Sequence, residues 1–334
     1  MTDRAIGIVG TGRAIGSRVH TNEELCATTL PGTTPEWIVE KTGIRRRYVV
    51  QDGETASSLA LTSARCALDQ ARITADRIGM IVVSTFSGDY IFPPVSARLH
   101  RDLGATGGQF YDLQANCAGF VSALTAVSDR MQRDPELEYS LVVGAEVLSP
   151  YVDYTDVETA IFFSDGAGAA VLGPVARDRG VRSSAFFADT SNFESVRLRG
   201  GGSAFPYAAR GSRDGGRDPG LMEQNGLATW KQAVTHLPGV IRKACATAGW
   251  DPADVDLFVF HQASQMTLDS LAKALRLPPE RMYVRMAEVG NLVSASIPVA
   301  LRMALDEGRV GPGDRVLLCG FGVGLSYGSV LVEL

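Results

Sequence analysis

Residues 112–124 read DLQANCAGFVSAL and set one cysteine, Cys117, in a turn between a strand-like run and a helix-like one. Upstream, QFYDLQA (109–115) has strand character; downstream, GFVSALTAVSDRMQR (119–133) spaces its apolar residues as a helix does. Residues 289–308, VGNLVSASIPVALRMALDEG, repeat this turn-then-helix unit in the second half of the chain. IGMIVVSTF (78–86) and VDLFVFHQASQ (255–265) are both apolar strands with polar ends, and 139–174 and 314–334 each close with two strands. Strands alternating with helices imply helices on both faces of a mostly parallel sheet, and repetition in two halves implies two such sheets. A site shared by the halves would collect strand ends from both.

The 334 residues, 45% hydrophobic and 21% charged, suffice for a large core in two halves or domains. A net charge of −5, with Arg45, Arg46 and Arg47 as the longest basic block, speaks against nucleic-acid binding. Five cysteines without a CxxC pair argue against a disulfide framework and a structural zinc. The start, MTDRAIGIVG, lacks the basic-then-apolar layout of a signal, and no apolar run nears the ~20 residues of a membrane span. A soluble cytoplasmic protein is expected, with no membrane partner.

Further strands are expected at 5–10, 139–149 and 166–174, helices near 22–27 and over 54–71, and a proline-bearing loop at 91–94. Residues 199–220, RGGGSAFPYAARGSRDGGRDPG, read as a loop, either a surface excursion or a flap over a substrate channel.

Two motifs mislead. GTGRAIG (10–16) is spaced GxGxxxG, and no second strand ending in an acid follows, so nicotinamide binding is not expected. GLSYG (324–328) fits a nucleophile elbow, but a strand follows it and the histidine and acid that should come later are missing.

Cys117 stands apart from Cys26, Cys66, Cys245 and Cys319, which lie in apolar helical or strand contexts and read as packing residues. At the head of a helix over 119–130, the dipole favours a thiolate by at most about 2 kcal/mol, which would bring its pKa from about 8.5 toward 7. Ala118 and Gly119 leave room for a thioester. Among four histidines, His20, His100 and His236 read as surface residues near helix ends, whereas His261 terminates the apolar strand LFVF, where α/β sites form. Asn291 lies between Gly290 and a helix, as an N-cap or a functional amide.

The order NCAGF, HQAS, GNLVSASIP and GFGVGLSYG, with WIVEKTGIRRR (37–47) and DGAGAAVL (165–172), resembles the ketoacyl synthase III group of the thiolase superfamily over essentially the whole chain. The resemblance implies an α/β, thiolase-like five-layered αβαβα fold of two similar halves, 1–175 with the cysteine and 176–334 with the histidine and asparagine. It implies a homodimer and a catalytic triad of Cys117, His261 and Asn291. Phe92 is expected to wall the partner's acyl pocket, and Trp37 to lie at the mouth where a pantetheine thioester enters.

The chemistry then asks for these residue types. Cys117 takes an acyl group from an acyl-CoA or acyl-carrier donor. The N–H groups of Cys117 and Val323, in the turn after Gly322, suit its oxyanion. A malonyl-type thioester then loses CO2, and His261 with Asn291 donates to the enolate. No metal or redox cofactor is called for; coenzyme A or phosphopantetheine comes as part of the substrate. The alternative is transfer of the acyl group to an amine, alcohol or carbon nucleophile without decarboxylation. A non-catalytic partner subunit would have little reason to keep Cys117 and His261.

Lys41 and Arg45–Arg47 stay basic, but Ser264 stands where the family pattern has asparagine, and Met266 and Val157 where it commonly has arginine. Leu292 and Val293 replace a small polar pair. Loss of arginine removes charge and bidentate donors. A specialised member serving natural-product or polyketide assembly is therefore expected over a housekeeping fatty-acid initiator. Its pocket would be shaped by Phe92 of the neighbour, by Met222 and by the 199–220 loop.

Overall fold

The computed structural model describes residues 4–206 and 218–334, so the middle of the 199–220 loop lies outside the described residues. Its first strand, β1 (Ala5–Ile15), runs straight through the GTGRAIG stretch. A Cβ on Gly12 would stand 2.0 Å from Ser63 O, so the glycines there admit a helix against the strand. A short hairpin of β2 (Arg18–Thr21) and β3 (Arg46–Val49) brackets α1 (Asn22–Thr28) and α2 (Pro35–Thr42). The helix against β1 is α3 (Ala56–Ala71), opened by a Thr55–Ser58 capping box. Then come β4 (Ile78–Ser84), α4 (Val95–Leu103), β5 (Gln109–Leu113), α5 (Gly119–Arg133), β6 (Tyr139–Glu146), α6 (Val157–Ala160) and β7 (Gly166–Val175).

The second half opens with β8 (Gly180–Ala188) and a small ladder of β9 (Val196–Arg197) and β10 (Glu223–Gln224). It continues with α7 (Gly226–Ala248), β11 (Leu257–Phe260), α8 (Gln265–Leu275), α9 (Met286–Val289), α10 (Ser296–Asp306), β12 (Arg315–Gly322) and β13 (Ser326–Glu333).

The first large sheet has the order β1-β7-β6-β4-β5 and the second β11-β12-β13-β8. The expected parallel character is corrected: β4 runs parallel to β5 and β6, and β11 to β12, but β7 and β13 pair antiparallel on both sides. β12 and β13 are joined by a short turn and β6 and β7 by short irregular helices, and neither link is long enough in packed helix to return a parallel strand.

Alternation along the strands creates the layers. Val82, Val142, Ala170 and Leu172 face inward with Val259, Leu318 and Val330 of the second sheet. α5 and α10 lie between them, supplying Phe120, Leu124, Ile297 and Leu301. The intervening residues Ile81, Val83, Leu141 and Val171 face α3 and α4, and Phe258, Phe260, Leu317 and Leu331 face α7 and α8. Five layers, αβαβα, result because the central strands β4, β6, β7, β11, β12 and β13 are buried on both faces.

Candidate active site

β5 ends at Leu113, and the chain turns through the 3-10 turn Asn116–Ala118 into α5. Asn116 takes a left-handed φ of 50°, a conformation asparagine tolerates better than most side chains. Its Nδ2 donates to Val323 O at 2.8 Å, which ties the turn to the link between β12 and β13. A Cβ on Gly320 would meet Cys117 O at 2.4 Å, and one on Gly322 would meet Ala115 O at 2.3 Å. The backbone of β12 thus lies directly on the cysteine turn.

Cys117 is half-buried. The expected fall of its pKa is overturned. Burial pushes the thiol well above its ordinary value, the charge of Glu146 pushes the same way, and its own backbone N–H offsets only part. The head of α5 lies in the apolar middle layer, and lost hydration there outweighs the helix dipole.

His261 follows β11, and its N–H donates to Cys319 O at 2.8 Å. The ring is buried edge-on to Phe321, with centroids 5.3 Å apart. Burial lowers its pKa to about 3, so it is a neutral imidazole at any ordinary pH. Nδ1 has no hydrogen-bond partner among the described residues. Gln262 braces the strand end: its Nε2 donates to Phe260 O and Tyr283 O, its Oε1 accepts from Arg285 N, and its own N–H donates to Ser296 Oγ at the head of α10.

Asn291 is held on both sides of its backbone, donating to Phe162 O at 3.0 Å and accepting from Ser164 N at 2.8 Å. Its Oδ1 accepts from Val293 N at 2.9 Å, a local turn that leaves the NH2 of the carboxamide as the group able to donate. The N-cap reading is corrected, since Leu292 holds the cap position of the 3-10 turn Val293–Ala295, with no side-chain cap bond. Turn 293–295 packs against turn 116–118, which brings the segments of Cys117 and Asn291 together. His261 is tied to the same region through Cys319 of β12 and, by the next residue, through Ser296 of α10.

Arg47, Gln262, Glu146 and Asp165 brace this region. In the sequence, Arg47 reads only as part of the basic block 45–47, Gln262 and Asp165 only as parts of HQAS and DGAGAAVL, and Glu146 is not marked. Arg47 is buried, donates to Asn22 Oδ1 at 2.8 Å and Ile161 O at 2.5 Å, and is lowered to about 10 by burial. Asp165 accepts from the N–H groups of Val50, Leu148 and Ser149 and from Ser149 Oγ. The DGAG stretch carried a signal for Asp165; a buried acid at a strand end carried none.

Other expected residues scatter. Trp37 and Lys41 share the exposed side of α2, the ammonium 5.9 Å from the ring centroid. Phe92 is 83% exposed on its loop. Met222 is buried among Leu25, Ile38 and Ile161. Ser264 caps α8, its Oγ accepting from Thr267 N. Gly322 and Val323 lie beside the cysteine turn, as described.

The surface reading of the histidines holds for His20, partly exposed just before α1. It is corrected for His236, which lies inside α7, three-quarters buried, 3.0 Å from Asp189 Oδ2. Cys66 is exposed on α3 rather than packed, because its helix face turns to solvent there. Among the described residues no helix is long and apolar enough to cross a membrane.

The family described as 3-oxoacyl-[acyl-carrier-protein] synthase III matches residues 111–190, and its C-terminal part matches 245–334. The chain is 39% identical to the β-ketoacyl-[acyl-carrier-protein] synthase III of Bordetella petrii, over 98% of this chain and 97% of that one. The crystal structure of the Pseudomonas aeruginosa 3-oxoacyl-(acyl carrier protein) synthase III matches with a TM-score of 0.89 at 32% identity, over 99% and 98% of the two chains. A priming β-ketosynthase from a polyketide biosynthetic pathway matches with a TM-score of 0.89 at 31% identity, over 99% and 96%. The chain belongs to the thiolase-like 3-oxoacyl-[acyl-carrier-protein] synthase III family.

Proposed function

We propose that this synthase III is an acyl-thioester condensing enzyme with Cys117 as nucleophile and His261 and Asn291 as donors to an enolate. What supports the reading is the packing of the cysteine turn on turn 293–295 and on β12, the His261 N–H donating to Cys319 O of that same strand, and a carboxamide whose oxygen is already taken.

In the resting site the thiol keeps its proton and the imidazole stays neutral, so no thiolate–imidazolium pair forms. The thiol gives up its proton as the acyl thioester arrives. Cys117 Sγ bonds to the carbonyl carbon, the bond to the departing sulfur breaks, and that sulfur ends as a thiol. The N–H groups of Cys117 and Val323 serve the tetrahedral oxyanion. A malonyl-type thioester on CoA or a carrier protein then loses CO2. His261, carrying its hydrogen on Nε2, and the Asn291 NH2 donate to the enolate oxygen. The enolate carbon attacks the acyl-cysteine, and the bond to Sγ breaks to leave a β-ketoacyl thioester and a thiolate that takes one proton from solvent to restore the resting thiol. A neutral imidazole fits this role, because a hydrogen bond to the enolate is needed and full proton transfer would quench it.

The same reading makes the protein a homodimer of two-half protomers. Tyr90, Ile91 and Phe92 are 64%, 83% and 83% exposed beside β5, an edge strand, and a second copy would cover them. Sedimentation should give a dimer, and replacing Ile91 and Phe92 by lysine should weaken it. The departures at Val157, Ser264 and Met266 support a specialised acyl donor over a general one.

Incubation with a series of acyl-CoA donors should add acyl mass on Cys117, and malonyl-CoA or a malonyl-carrier should then release CO2. Loading without any CO2 release would move the assignment to simple acyl transfer.

A further inference from the structure

Glu146 ends β6 with no exposed surface, and the chemistry proposed above does not use it. Its Oε2 accepts the hydroxyl of Ser87 and, at 3.4 Å, that of Thr85 and the N–H of Phe86. Ser87 Oγ itself accepts Val147 N–H at 2.9 Å, so its hydrogen is free for the carboxyl. On the other side, Oε1 lies 2.8 Å from Ser294 Oγ, and Ser294 Oγ lies 2.9 Å from Ser84 O. A hydroxyl has one hydrogen and a peptide oxygen has none. With Glu146 ionised, only one of those two contacts is a hydrogen bond. With a proton on Oε1, both are: the carboxyl donates to Ser294, and Ser294 donates to Ser84. The groups acting on Glu146 are burial, which raises its pKa to about 7, and hydroxyl and amide donors, with no cation among them.

Ser294 belongs to the turn packed on the cysteine turn. The titratable groups on the other elements against the end of β6 are accounted for. Asp165, heading β7, is held by its backbone donors. Asp89, in the loop after β4, is paired with Arg98. Arg65, Cys66 and Asp69 of α3 are exposed, as are Asp129, Arg130 and Arg133 of α5. Arg302 and Asp306 of α10 pair with each other.

We propose that Glu146 is a positioning residue for Cys117. Held as a neutral acid between Ser87 and Ser294, it keeps the interior behind the cysteine turn uncharged, and its loss of a proton makes Cys117 harder to ionise. The functional meaning rests on Cys117 being the nucleophile. The coupling itself does not, since it concerns a thiol and a carboxyl in the free protein.

The test follows carbamidomethylation of Cys117 by iodoacetamide, resolved by peptide mass spectrometry, from about pH 6 to about pH 10. It compares the full chain with Glu146→Gln and Glu146→Met, two neutral side chains of similar length. The Gln amide can donate to Ser294 and accept from Ser87; the Met shares only the absence of charge. In either folded variant the Cys117 profile should move to lower pH by about one unit, roughly a tenfold gain in rate on its rising limb. Exposed Cys66 in the same samples should not change. A Cys117 profile that superimposes on the unaltered protein's, or moves to higher pH, overturns the proposal. Acyl loading is scored separately: a shifted profile without loading removes the nucleophile assignment and leaves the coupling, and loading with an unshifted profile does the reverse.

Discussion

Asn116 and Val293 hold φ of 50° and 49°, each opens a 3-10 turn, and each turn feeds a helix of the middle layer, α5 or α10. Neither helix has a side-chain cap. Each turn presses a carbonyl onto a glycine of the other half: Cys117 O onto Gly320 of β12, and Ser294 O onto Gly144 of β6, each 2.4 Å from where a Cβ would be. Cys117 and Ser294 occupy matching places. Their surroundings differ. The cysteine turn meets the end of β12 and the Val323 peptide. The serine turn meets Glu146 and Ser84, and Ser294 is fully enclosed. The same backbone thus holds a half-buried thiol in one half and an enclosed hydroxyl, closed on an acid, in the other. Function resides in what faces the turn, since the turn itself is common to both halves.

The comparison breaks most sharply at the two matched side chains. Cys117→Ala should abolish acyl loading, measured as added mass on the intact protein, while Ser294→Ala should still load. Loading that survives Cys117→Ala would end the distinction between the turns. Next in size is Asn291→Ala. Loading should persist, while CO2 release from a malonyl thioester falls by about 10²- to 10³-fold, as for the loss of one donor to a developing oxyanion.

Opposite protonation around the two turns sharpens the contrast. Folded Glu146 keeps its proton to about 7, against an ordinary 4.5, so its stabilising contribution is full below 4.5 and is lost as pH rises through 7. Folded His261 stays neutral down to about 3, against an ordinary 6.5, so its contribution is full above 6.5 and is lost as pH falls toward 3. Between 4.5 and 6.5 the two slopes oppose each other. Glu146→Gln should remove one of them. Urea unfolding would then show stability rising with pH in this window, with the unaltered protein flatter by up to about 3 kcal/mol across the Glu146 titration. Equal slopes would show that Glu146 titrates alike folded and unfolded.

The smallest effects belong to the matched glycines. Gly320→Ala and Gly144→Ala should each cost about 1–3 kcal/mol in thermal or urea unfolding, because a methyl meets a backbone carbonyl that cannot turn away. Only Gly320→Ala should also slow loading, since it displaces the cysteine turn.

Much of this was legible in the sequence. The helix over 119–133 was placed to the residue, because its apolar spacing is unbroken. The strand at 78–84 and the pair closing the chain were also clear, because strands apolar on both faces are short, continuous and bounded by polar or glycine residues. The 23-residue α7 was not read, because Pro238 and Gly239 interrupt its pattern, and its burial against the second sheet outweighs that local cost. Strand direction was misjudged, since alternation of elements does not fix whether a strand is reached by a crossover. Of the residues expected around the substrate, Met222 lies in a core cluster and Ser264 at a helix cap, while Phe92, read as a wall of the partner's pocket, stands exposed on its loop.

Residue type and spacing by themselves determined alternating strands and helices in two similar halves and the cysteine, histidine and asparagine worth testing, because periodicity and the few side chains able to do acyl chemistry are local properties of the chain. The five-layered class came with the family resemblance of its ordered motifs. Tertiary structure alone decided the state of those groups: a thiol raised instead of lowered, an imidazole held neutral, and a carboxyl 148 positions from its serine partner. Ionisation depends on how much water and charge surround a group in space, and those neighbours come from segments that chain order keeps far apart.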